Sequence, residues 1–118
     1  MILATVKRDG GDIEEITISG HAHAAEYGKD IVCSAVSAIS FGTLNAVHAL
    51  LGITPQVEQA EREGGFLRWR LERTADQAVH EKQQLLAESL VVSLYSVSQQ
   101  YGTFLTVHDT KWQGGATT

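Results

Sequence analysis

Residues 31–51, IVCSAVSAISFGTLNAVHALL, decide how the rest of the chain is read. They contain no Asp, Glu, Lys or Arg and are apolar on nearly every side, as expected of a central helix packed against several elements rather than a surface helix with one apolar stripe. Gly52 reads as the residue just past the end, and Pro55 enforces the stop. The polar residues Ser34, Ser37, Ser40, Asn45 and His48 are spaced along one rough stripe. Hydroxyls on such a stripe bond back to the helix or line an interface of close approach, and Ser37 stands one turn beyond Cys33 on the same face.

Working outward toward the N-terminus, Asp30 is suited to cap this helix, which would make Cys33 its third residue. Unpaired N–H groups and the positive end of the helix dipole favour a thiolate there. His21 lies twelve residues upstream, in a segment with Gly20 and Gly28 at its ends. Folded back, that segment would bring an imidazole to the thiol, the pairing that nucleophilic catalysis by cysteine requires. The competing reading is that Cys33 is an inert small hydrophobe, and the residues alone leave both open. His21, His23 and Cys33 lack the paired spacing of a zinc site, so no metal or other cofactor is expected.

Residues 2–8 alternate as a strand with Ile2, Ala4 and Val6 on one face, and Asp9-Gly10-Gly11-Asp12 turns the chain into an antiparallel partner over 13–19 with Ile16 and Ile18 inward. Two further strands, 55–62 and 65–72, are joined at Glu63-Gly64-Gly65, with Leu67, Trp69 and Leu71 opposite Phe66, Arg68 and Arg70. Thr74 and Gln77 form a capping box for a second, amphipathic helix running to about Tyr101, with Val79, Leu86, Leu90, Leu94 and Val97 on one stripe. A last strand spans 103–109. The order ββαββαβ predicts an α+β two-layer sandwich, a mostly antiparallel sheet covered by two helices. Residues 1–110 form one domain and 111–118 a frayed tail. The first helix has more apolar surface than one small sheet covers, which points to a homodimer.

Charged residues make up 19% of the 118 and hydrophobic ones 43%, the composition of a soluble globular domain. One cysteine excludes an internal disulfide. No apolar run is read as approaching the roughly 20 residues of a membrane span, and a cytoplasmic location is expected. With a net charge of −5 and nine scattered basic residues, direct nucleic-acid binding is disfavoured and a basic partner favoured.

Gly20-His21 followed by Gly28-Lys-Asp30-Ile-Val-Cys33-Ser-Ala-Val-Ser37 closely resembles the motif of the bacterial ribosomal-processing cysteine protease family, Prp, and the element order resembles that family over nearly the whole chain. Ser34 stands where the family pattern has alanine, and His23 lies outside the pattern. The resemblance implies a cytoplasmic homodimeric endopeptidase. Its substrate would be a basic large-subunit ribosomal protein, the twenty-seventh, shortened by loss of its N-terminal extension after an aromatic residue. Cys33 would be the nucleophile and His21 the base, with Gly20, Gly28, Asp30 and Ser37 in support. The alternative is a non-enzymatic ribosome-assembly or protein-binding module in which Cys33 is structural.

Overall fold

In the computed structural model, which describes residues 1–20, 29–60 and 65–112 and only the backbone of residues 29 and 30, the elements are β1 (Ile2–Asp9), β2 (Asp12–Ser19), α1 (Lys29–Leu51), β3 (Gln56–Ala60), β4 (Phe66–Arg70), α2 (Gln77–Gln100) and β5 (Leu105–His108). They follow the expected ββαββαβ order. The sheet order is β3-β4-β2-β1-β5, with three antiparallel pairings and one parallel pairing, β1 with β5. A parallel neighbour needs a long crossover, and α2 supplies it.

Alternation places Ile2, Ala4 and Val6 of β1, Ile16 and Ile18 of β2 and Trp69 of β4 on one buried face. Both helices cover that face through Val32, Val36, Leu44 and Val47 of α1 and Ala87, Leu90, Val91 and Leu94 of α2. The opposite face is polar, where Glu15 bridges Arg68 and Arg70 across β2 and β4. Such half-exposed pairs add little stability each.

The pairing of β1 with β2 is not uniform, and the irregularity matters. Lys7 faces Glu15 but Arg8 faces Ile13, so Glu14 is an extra residue and the strand pair is bulged. The bulge lets Ile13, an odd number of residues from Ile16, also point inward, opposite Arg8, which the alternation of β1 places on the same face as Ile2, Ala4 and Val6. The Arg8 side chain is 4% exposed, and all five of its N–H donors are used. It bonds Asp109 from Nε at 2.7 Å and Nη2 at 2.9 Å, Glu88 from Nη1 at 2.7 Å and Nη2 at 2.8 Å, and the Gly11 carbonyl at 2.9 Å. Glu88 also accepts from Trp112 Nε1 at 3.1 Å, so Lys111 and Trp112, assigned by sequence to the frayed tail, are held against α2.

Four expectations need correction. Helix α1 begins at Lys29, so Asp30 is its second residue rather than its cap and Cys33 its fifth rather than its third. The cap of α2 is Asp76, whose carboxylate accepts from the N–H groups of Ala78 and Val79, while Thr74 Oγ1 accepts from the N–H of Asp76, two residues later in the chain. Helix α1 is buried on one side only: Ile31 is 53% exposed and Leu50 71%. Ile31–Leu51 is also long and apolar enough to cross a membrane by length and composition, a test that the core helix of a soluble domain passes too.

Replacing Arg8 by alanine strands two carboxylates, one of them, Asp109, only 1% exposed, and is expected to destabilise the fold by about 3 to 5 kcal/mol in chemical denaturation. The Arg8 hydrogen bond holds the Glu88 carboxyl well down, at about 2 against an ordinary 4.5. A depressed carboxylate stabilises fully above the unfolded value and ceases to do so as pH falls through the folded one. Melting temperature should therefore fall between about pH 4.5 and 2, and fall less steeply in Glu88→Gln.

Candidate active site

Cys33 is half-buried near the start of α1. In a helix that begins at Lys29, the N–H groups of Lys29, Asp30 and Ile31 precede the first residue that can bond back within the helix. Helical side chains lean toward the N-terminus, so the thiol of the fifth residue points back over this first turn.

In front of Cys33 is a cleft of about 400 Å³. One wall is α1, with Cys33, Ser37, Ser40 and Phe41 at successive turns; the other is the start of β4, with Gly65, Phe66 and Leu67, beside Gln59 and Ala60 at the end of β3. Ile2 and Ile18 contribute from the sheet. The Phe66 ring is itself covered by the Arg68 guanidinium, 4.9 Å from the ring centroid.

Gly20 closes the sheet end of this cleft. Its N–H donates to the Gly65 carbonyl at 3.0 Å, tying the exit of β2 to the entry of β4. Its φ is +95°, and a Cβ there would run into the Met1 carbonyl oxygen. Glycine is therefore required twice over, by conformation and by space.

Of the residues singled out from sequence, the structure brings Gly20, Cys33 and Ser37 to this one cleft. His21, His23 and Gly28 lie outside the described residues, as does the Asp30 side chain, so the pairing of His21 with Cys33 is not part of the described geometry. Among the described residues no group of three or more His, Cys, Asp or Glu could hold a metal ion. Sequence reasoning missed Phe41 and Phe66 as cleft walls. Phe41 was legible in principle, since it lies eight residues after Cys33 on the same helical face. Phe66 was not, because it belongs to another element, which reaches the cleft only through the tertiary fold. A larger hollow of about 640 Å³ at the other end of the β1–β2 hairpin is lined by charged groups such as Asp9, Glu14 and Arg73, and contains no cysteine.

The family model described as cysteine protease Prp matches residues 1–106. The chain belongs to that family. It is a cysteine protease. The ribosomal processing cysteine protease Prp of Bacillus subtilis (strain 168) is 39% identical over 103 residues, which are 86% of this chain and 90% of the relative. That of Staphylococcus aureus (strain Mu50) is 32% identical over 93 residues, 79% of this chain and 83% of the relative. Among solved structures, SMU.848 from Streptococcus mutans superposes with a TM-score of 0.81 at 34% identity, over 92% of each chain. The S. aureus Prp with a covalently linked product peptide superposes with a TM-score of 0.75 at 29% identity, over 92% of this chain and 98% of that one.

Within this Prp fold, Gly20→Ala should be poorly tolerated: strain at positive φ costs about 1 to 3 kcal/mol before any cost of displacing Met1. A drop in melting temperature, with a loss of proteolysis exceeding what the unfolded fraction explains, is the expected result. An unchanged melting curve would mean that the β1 terminus shifts freely.

Proposed function

We propose that this Prp enzyme uses Cys33 as its nucleophile and His21 as the base. We also propose that it removes the N-terminal extension of a large-subunit ribosomal protein, the twenty-seventh. One observation carries the first part: a cysteine protease needs a cysteine, this chain has one, and it opens onto the cleft beside a helix start. The relatives named above are ribosomal processing proteases, and peptides occupy two of the S. aureus structures, one as a substrate and one as a covalently linked product.

The steps follow from the groups present. Cys33 Sγ, its proton transferred to His21, attacks the scissile carbonyl carbon and the C=O electrons move onto oxygen. Unpaired N–H groups of the α1 first turn are suited to donate hydrogen bonds to that oxyanion. Collapse of the intermediate breaks the C–N bond, and the proton held by His21 passes to the leaving amine. Water, deprotonated by the same imidazole, then hydrolyses the thioester and frees Cys33. A net charge of −5 suits a basic ribosomal substrate. The reading includes a cytoplasmic homodimer, supported by the exposed apolar side of α1 at Ile31, Phe41 and Leu50.

Incubation with the extended ribosomal protein, followed by mass measurement of the products, is the test. Cys33→Ala should abolish cleavage with an unaltered circular dichroism spectrum; His21→Ala should lower it at least about a hundredfold, the lower range for a general base. His23→Ala should be mild. A larger effect from His23 than from His21 would reassign the base.

A further inference from the structure

Ser40 is 2% exposed, lines the cleft, and its hydroxyl has no hydrogen-bond partner among the described residues. That state is unusual for a helical hydroxyl, which ordinarily bonds back to a carbonyl one turn earlier. Thr43 does so to Ile39 at 2.8 Å and Ser96 to Val92 at 2.9 Å, while Ser40 on the same helix as Thr43 does not. A buried unpaired hydroxyl costs free energy, and an alanine of nearly the same shape would avoid it.

The surroundings define what would pair with it. Beside Ser40 the cleft offers aromatic and aliphatic walls, Phe41 and Phe66 with Ile18, Val36 and Leu67. A side chain seated there needs an apolar body, and it reaches the hydroxyl only with a hydrogen-bonding tip. We propose that Ser40 is a specificity-determining residue, whose hydroxyl selects a substrate side chain with an aromatic body and a polar tip, tyrosine above phenylalanine. One step between staggered χ1 wells is enough to aim a serine hydroxyl at an occupant of the groove. Ser40 lies seven residues beyond Cys33, about 10 Å along the helix, which an extended peptide covers in about three residues. The selected side chain is therefore near the third residue from the scissile bond rather than at the bond itself.

The inference rests on the cleft being the peptide site of the proposed protease, and binding to an inactive variant separates the two. Octapeptides from the extension of the ribosomal protein, with phenylalanine or tyrosine at the second, third or fourth residue on either side of the scissile bond, are titrated calorimetrically into Cys33→Ala and into Cys33→Ala/Ser40→Ala. At one position the tyrosine peptide should bind about fivefold more tightly than its phenylalanine counterpart, and Ser40→Ala should bring the two within twofold. Thermal stability of Ser40→Ala should be equal to or higher than that of the parent, whereas a hydroxyl with a structural role would give a lower value. Equal affinities before and after the change, or no binding of any tyrosine peptide, overturns the selection by Ser40. The protease reading fails on a different result, peptides that bind but are left intact by the unsubstituted enzyme.

Discussion

An arginine turned into the core is the constraint on which the rest of this structure depends. Arg8 faces inward because it continues the inward alternation of Ile2, Ala4 and Val6 along β1, and its charge is tolerable only because Glu88 and Asp109 both meet it. A buried cation without partners would cost several kcal/mol, so the three side chains must arrive together. They come from β1, from the middle of α2 and from the end of β5. Their meeting fixes how α2 and the end of β5 lie against the sheet, and a bidentate guanidinium leaves little angular freedom. The pair Arg8 and Glu88 thus gives the domain a rigid half.

The cleft occupies the other half. There the sheet ends are joined not by charge but by close backbone approach, Gly20 against Met1 and Gly65. Cys33, near the start of α1, and Gly20 of this junction line the same groove, walled by β4. The chemistry of a thiol protease needs a nucleophile held on a rigid element with donors ready for the developing oxyanion. A helix whose far side is built into the core through Val32, Val36 and Val47 meets that need.

The apolar excess of α1 is used differently from what its composition implied. Only one side is covered within the chain, and the exposed side carries large apolar residues such as Leu50. A polypeptide that buries every apolar residue of such a helix would require a second layer, which 118 residues in a ββαββαβ order do not provide.

Much was determined by sequence alone. Alternation in residues 2–9 and 12–19, and a long run without charges between a glycine motif and Gly52, are local signals with local causes, and they yielded the element order, the inward faces of the first hairpin and the buried Trp69. The same is true of Cys33, whose place beside a helix start follows from neighbours in the chain. Other features were decided by the tertiary structure. Whether Asp76 or Thr74 caps α2 depended on which residue the turn left in extended conformation. The parallel pairing of β5 depended on where α2 delivers the chain, the inward Ile13 on a bulge that opposes one strand to another, and the burial of Arg8 on carboxylates brought from α2 and from the end of β5. The walls of the cleft, Phe41 and Phe66, lie 25 residues apart in sequence and belong to different elements, so no periodicity within either could place them together. Period and capping report on a segment's own backbone, whereas register, burial of charge and the shape of a groove are properties of pairs of segments, which exist only once the chain has packed.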